Sequence, residues 1–245
     1  MWEYVALFVA GIAAGAVGYL MGLASLVSYP AMLAVGIPPV LANTSNTVAL
    51  LGSGLGSVTG ARKIIRDVKV YPLWPQLLVS VIGGIAGGQL LLHLDPKTFE
   101  SVVPWLVLGS TALVLASPMI RRLNADRTLP LWGFLFGLLA ITTYAGYFGA
   151  GAGIPFFALC LLGTPMTVHQ ALAVKTPMIL MANLSAAILF IIQGSVVWWA
   201  ALTVGAGSFI GGYIAPVIQR FIPEKVLRWL VGIGGAVLTV WLLVR

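Results

Sequence analysis

One lysine, Lys175, lies about eight residues into a long apolar stretch, roughly 12 Å along a helix, and it is the only basic residue more than one turn inside any apolar segment of the chain. An ionisable side chain at that depth in an apolar helix points to function. Pro177, two residues on, removes a backbone donor and frees the carbonyl of Ala173. Gln170, Thr176 and Asn183 add polar groups to the same stretch. Earlier in the chain, Asn43, Thr44, Ser45, Asn46 and Thr47 form an unbroken polar run at the start of another apolar segment. Asn43, Asn46, Ser53 and Ser57 make one stripe at about 100° per residue. Interhelical hydrogen bonding accounts for Ser53 and Ser57. It does not account for five polar residues in succession, which surround the helix. A helix start offers unpaired N–H groups and positive dipole charge. With hydroxyl and amide donors added, and a cationic lysine elsewhere, the chemistry is that of an anion site.

Other chemistries lack their residues. Asp and Glu number six, and all map to the ends of apolar segments or to loops: Glu3, Asp67, Asp95, Glu100, Asp126 and Glu224. Buried carboxylates serve cation pathways and many proton relays, and none is available here. His93 and His169 cannot form a His-Glu-x-x-His zinc motif. His169 reads as a polar residue at a helix entrance. There is no phosphate-binding P-loop, and the single Cys160 excludes an internal disulfide framework. Neither an enzyme nor a cofactor-dependent protein is expected. Tyr19 and Tyr29 read as interfacial anchors. Tyr144 and Tyr147 lie near a Gly-rich break and could donate hydroxyls to it.

These residues need an apolar scaffold, and the composition supplies one. Of 245 residues, 60% are hydrophobic and 8% charged, against about 25% charged in soluble domains. Mean hydropathy is +1.05. The partner is therefore a lipid bilayer, in a cell (inner) membrane protein. The net charge of +7 reflects basic loops that orient spans and does not signal nucleic acid.

A spanning helix needs about 20 apolar residues. Eight such segments are expected: 4–27, 40–61, 71–92, 100–120, 129–149, 167–192, 195–218 and 225–244. The fold class is thus an all-α polytopic membrane protein of about eight helices. Arg62, Lys63, Arg66 and Lys69 follow the second segment, and Arg121, Arg122 and Arg127 follow the fourth. With eight alternating spans both loops share a side with the termini, which the positive-inside rule makes cytoplasmic.

The chain also reads as a duplication, 1–122 and 123–245. Gly36-Ile37-Pro38 then Ala42 to Thr47 is answered by Gly163-Thr164-Pro165 then Ala171 to Thr176. Gly87-Gly88 is answered by Gly211-Gly212, and Pro96-Lys97 by Pro223-Glu224-Lys225. Four spans per half would make the halves parallel. Glycine and proline crowd 22–39 and 149–166, so broken or re-entrant segments are expected there. Matching breaks in two halves point to a transporter binding site.

The Gly-rich first segment, the Gly-x-Pro-Pro-x-x-Ala-x-Thr-Ser stretch from Gly36 to Ser45, and its second copy resemble the sulfite exporter TauE/SafE family of membrane proteins. The resemblance covers nearly the whole chain. It implies secondary transport, commonly export, of sulfite, organosulfonates and related small anions. The second half departs from the pattern, with Ala-Leu-Ala-Val-Lys-Thr at 171–176. Asn43 to Thr47, Gln170, Lys175, Thr176 and Asn183 are the candidate substrate-binding residues. An anion channel would use the same donors.

Overall fold

The computed structural model describes residues 2–93, 128–147, 149 and 151–244, with isolated helical positions between 105 and 119. Most of the expected segment 100–120 lies outside the described residues, as do Asp95, Lys97, Arg121, Arg122, Asp126, Arg127 and Arg245.

Nine helices are described, in this order: α1 Trp2–Met21, α2 Ser25–Ala34, α3 Pro39–Asp67, α4 Leu73–His93, α5 Leu131–Tyr147, α6 Gly153–Gly163, α7 Val168–Ile192, α8 Trp198–Gln219 and α9 Glu224–Val244. Four of them, α1, α4, α7 and α8, are both long and apolar enough to cross a membrane. Exposed Trp74, Trp132, Phe136, Ile192 and Phe221 give the bundle an apolar outer surface, as lipid contact requires. The chain is a multi-pass membrane protein.

Glycine sets the packing. In lipid there is no hydrophobic drive between helices, so small residues that let backbones touch hold them together. On α8, Gly207 and Gly211 sit against the α1 backbone at Phe8 and Ile12, while Gly212 sits against Ser53 of α3. From the other side, Gly11 and Gly15 of α1 meet Val204 and Ser208. Gly52, Gly56 and Gly60 of α3 meet Gly205, Phe209 and Tyr213. On α4, Gly83 and Gly87 meet Thr142 and Thr143 of α5, while Gly84 and Gly88 meet Ala182 and Ala186 of α7. In every pair the residue numbers rise together. Hence α1, α3 and α8 run parallel, and so do α4, α5 and α7.

The two triplets are antiparallel to each other. The start of α3 meets the end of α7, where Thr44 donates to the Ser195 carbonyl and the Val197 N–H donates to Ser45 Oγ at 2.8 Å. Two short helices explain how this direction arises. After α1, the chain turns at Gly22 (φ +76°) and α2 leads back to the face where α1 began. After α5, it turns at Gly149 and Gly151 (φ +72° and +78°), and α6 leads back until the Leu129 N–H reaches the Gly163 carbonyl at 2.9 Å. Those φ values suit glycine, which has no Cβ to clash.

The breaks expected near 22–39 and 149–166 therefore contain return legs. This changes the expected sidedness. A hairpin of two legs brings the chain back before α3 starts, so α1 begins on the face opposite the 68–72 connection, not on the same face. The helices that correspond in order, α1 with α5, α3 with α7 and α4 with α8, run in opposite directions, whereas parallel halves were expected. The start of α1 packs at the start of α8 through Tyr4 and Trp199, ring centres 5.3 Å apart. Opposite it, α9 starts beside the end of α8 and its Gly234 passes Met21 and Leu23. The start of α1 and the end of α9 thus belong to one face, the terminal face. The other is the basic face: it carries Arg62, Lys63, Arg66, Lys69, Arg220, Lys225 and Arg228.

Candidate functional site

The two hairpin tips meet inside the bundle. Gly22 and Gly153 are in backbone contact, and a Cβ on either would overlap the other's main chain. The crossing therefore requires glycine on both sides. Around it lies a cavity of about 60 Å³, lined by Gly18, Tyr19, Gly22, Gly149 and Gly153 from the tips. Helix α3 contributes Ser53 and Ser57, and α7 contributes Lys175, Thr176 and Asn183. A water needs about 10–15 Å³ by this measure, so the space suits a few waters or one small ion.

Lys175 is 3% exposed. Taking an ammonium out of water costs several kcal/mol, so it needs partners. It finds them at the end of α1: Nζ donates to the carbonyls of Gly18 (3.0 Å) and Tyr19 (2.7 Å). These belong to the last turn, at the negative end of the helix dipole, and the Gly18 carbonyl also accepts from the Gly22 N–H at 3.0 Å. The Tyr19 ring adds a face 5.9 Å from Nζ. An ammonium has three donors. Two serve the α1 carbonyls, which leaves a third for the cavity that Lys175 lines.

Beside Lys175 the helix is adapted to Pro177. The carbonyl of Ala173, left without its helical N–H donor, accepts from Thr176 Oγ1 at 2.8 Å. Asn183 lies two turns further on. Its Oδ1 is buried and makes no hydrogen bond among the described residues, although the residue is only 7% exposed. Buried amide oxygens are nearly always paired; Oδ1 accepts only, so water pairs it, and it is the Nδ2 group that can donate to an anion in the cavity.

Of the nine candidate residues, Lys175, Thr176 and Asn183 line this cavity. The other six do not. Thr44 and Ser45 bind the 195–197 turn. Asn46 joins α3 to α2, with Nδ2 donating to Ser25 Oγ at 3.0 Å and Oδ1 accepting from Ser28 Oγ. Thr47 donates to the carbonyl of Asn43 at 3.1 Å. Gln170 completes a capping box: its N–H donates to Thr167 Oγ1, and its Oε1 accepts from the Thr167 N–H. The polar run thus ties helices together where it starts α3. Ser53 and Ser57, which sequence reasoning assigned to interhelical bonding, line the cavity instead of lying remote from it. Their position on the stripe with Asn46 was the available signal. Tyr144 and Tyr147 are buried but do not line the cavity.

Comparison with known proteins gives a consistent result. The chain is 27% identical to a probable membrane transporter protein of Haemophilus influenzae, over 95% of this chain and 91% of that one. It is 28% identical to the probable membrane transporter protein YfcA of Escherichia coli, over 97% and 88% respectively. A probable membrane transporter protein of a Sinorhizobium species, ORF9, is 26% identical over 97% of this chain. Residues 7–242, including both hairpins and every residue that lines the cavity, match one family throughout. The chain is a membrane transporter of the sulfite exporter TauE/SafE family.

Proposed function

We propose that the protein is a secondary transporter of small sulfur-containing anions, sulfite or organosulfonates, in the cell (inner) membrane, and that it works as an exporter. The observation that carries this reading is the Lys175 ammonium, held at the meeting point of two hairpins with a donor left for the central cavity. Ser53, Ser57 and the amide group of Asn183 offer neutral donors around it, while the Thr176 hydroxyl donates to the Ala173 carbonyl. The described cavity lining contains no carboxylate, so no charged side chain there repels an anion. Transporters of several folds bind substrate at mid-membrane between broken helices of opposite direction. The antiparallel triplets support the same reading, with halves 1–122 and 123–245 related by an axis in the membrane plane.

In this scheme the anion approaches Lys175 and competes with the carbonyls of Gly18 and Tyr19 for the ammonium. Its binding loosens the hold of α7 on the tip of α1. That contact joins the two triplets, so it is where occupancy can bias their arrangement. The face carrying Arg62, Lys63, Arg66, Lys69, Arg220, Lys225 and Arg228 is the cytoplasmic one by the positive-inside rule. Both termini then lie outside the cytoplasm, the reverse of the sidedness expected from eight alternating spans.

The test is flux of sulfite, sulfate, thiosulfate and an alkyl sulfonate in proteoliposomes under an imposed ion gradient. Uphill movement of sulfite or sulfonate is the expected result. Flux of none of the four would overturn the reading, and downhill flux alone would make the protein a channel.

A further inference from the structure

Lys175 has hydrogen-bond partners but no counter-charge. Its stem passes the Gly153 backbone of α6, and Nζ ends on the carbonyls of Gly18 and Tyr19, at 3.0 and 2.7 Å. A carbonyl accepts from an amine as well as from an ammonium, and it neutralises no charge. Among the described residues the carboxylates lie elsewhere. Glu3 starts α1 on the terminal face, while Asp67 ends α3 and Glu224 starts α9 on the basic face.

Other titratable groups supply no counter-charge either. Tyr19 of α1 turns its ring to Nζ at 5.9 Å, and Cys160 of α6 is within electrostatic reach. Helix α3 presents Ser53 and Ser57 to the cavity. Helix α4 meets α7 through Gly84 and Gly88 and carries no titratable residue before exposed His93. Tyr144 and Tyr147 of α5 are buried outside the lining. His169, on α7 itself, turns to Glu224 at 3.5 Å, and Lys225 and Arg228 of α9 belong to the basic face.

The surroundings of Nζ fit two protonation forms. An ammonium carries three N–H donors, whereas an amine carries two and a lone pair. Two donors go to the α1 carbonyls in either form. The third position faces the cavity that Lys175 lines: it is an N–H in the ammonium and a lone pair in the amine. A buried ammonium without a counter-charge is costly, and an anion at the third position supplies that charge. Proton and anion therefore favour each other's binding, and by linkage to the same extent. Lysine permits this because its proton can leave, while a guanidinium keeps its charge. A cavity of about 60 Å³ admits water, through which the proton can come and go.

We propose that Lys175 is the proton carrier of the transport cycle. Nζ is an amine before the anion arrives, takes one proton from cavity water as the anion enters, and donates the new N–H to it. When the anion leaves on the other side, the proton returns to water there. One proton thus crosses with each anion, in the same direction, and a monoanion crosses without net charge. The inference rests on the transport reading above and holds for export and uptake alike.

Sulfite binding to the full-length protein in detergent, measured over a pH series, tests this. At alkaline pH sulfite is fully dianionic and its own titration no longer contributes. There the wild-type affinity should go on falling about tenfold per pH unit, the slope of one proton taken up per anion. Lys175→Arg, which is charged at every pH used, should bind sulfite with a flat profile. Cys160→Ala and Tyr19→Phe should keep the wild-type slope, which assigns the proton to Lys175 even if Lys175→Arg does not fold. In proteoliposomes with an internal pH dye, wild type should move about one proton more per sulfite than Lys175→Arg. A flat wild-type profile would overturn the proposal. So would the wild-type slope persisting in Lys175→Arg, or its loss in Cys160→Ala or Tyr19→Phe. Absence of both binding and flux of sulfite, sulfate, thiosulfate and an alkyl sulfonate in wild type would instead overturn the transport reading beneath it.

Discussion

Lys175 and Asn183 face the same cavity with opposite histories. The lysine is partnered through two carbonyls, whereas Asn183 Oδ1 is unpartnered. Their substitutions should separate accordingly. Lys175→Met removes the only charged side chain in the described cavity lining. Anion flux should fall roughly a hundredfold, the equivalent of about 3 kcal/mol for a charge-assisted contact, and the anion-induced rise in melting temperature should vanish. Lys175→Arg keeps the charge in a bulkier, planar form and should retain weak binding. Equal stabilisation by sulfite in wild type and Lys175→Met would remove Lys175 from the site. Asn183→Leu should weaken anion affinity about fivefold to tenfold while leaving the empty protein as stable as before, because no existing hydrogen bond is broken. A melting temperature several degrees below wild type would show that Asn183 holds structure instead.

Among the helices, α8 and α4 are the elements on which the bundle depends, and their glycines are not equivalent. A methyl at Gly56 would run into the α8 backbone at Phe209 and Tyr213. A methyl at Gly205 would meet Ala49 only at ordinary contact distance. Gly56→Ala should therefore destabilise the protein by about 1–3 kcal/mol, as overpacking does. Gly205→Ala should be neutral or gain up to about 1 kcal/mol from lower backbone entropy in the unfolded chain. Thermal melts in detergent would rank the two, and the reverse order would mean that α3 and α8 are not packed as described. The hairpin tip makes a harsher case. Gly22→Ala meets both a positive φ and the Gly153 backbone, so it should abolish flux as well as lower stability.

For the molecule as a whole, the return legs α2 and α6 decide sidedness. The seven described basic residues other than Lys175 share one face, and the start of α1 and the end of α9 share the other. Alkaline phosphatase fused to either terminus should be active, and a green fluorescent reporter there should be dark, if the basic face is cytoplasmic. A cysteine at Lys69 should react with a membrane-impermeant thiol reagent only from the cytoplasmic side. The native Cys160 is buried and should not interfere. Termini found on the cytoplasmic side would reverse the direction in which the charged face is read, and termini on opposite sides would contradict the antiparallel triplets.

Much of this was legible in the sequence. Apolar runs of about 20 residues mark spans because lipid leaves backbone groups no partner but the helix itself. Lys175 stood out because a lone ammonium in an apolar segment is costly, and Pro177 announced the free Ala173 carbonyl that Thr176 now caps. The clusters of glycine and proline marked both breaks. What each break did next was a tertiary matter. Ten or eleven residues of helix in α2 and α6 are too short to cross a bilayer, and nothing local says whether they continue outward or turn back. Only the contact of Gly22 with Gly153 and the bond from Leu129 to Gly163 decide that. The run Asn43–Thr47 shows the same limit: its donors suit an anion as well as they suit neighbouring helices. The 195–197 turn and Ser25 of α2, distant in sequence, claim Thr44, Ser45 and Asn46 in the fold. Sequence fixes which groups need partners, because burial and chemistry are local properties. Which partner each one meets depends on chain direction, and that emerges only when the helices pack.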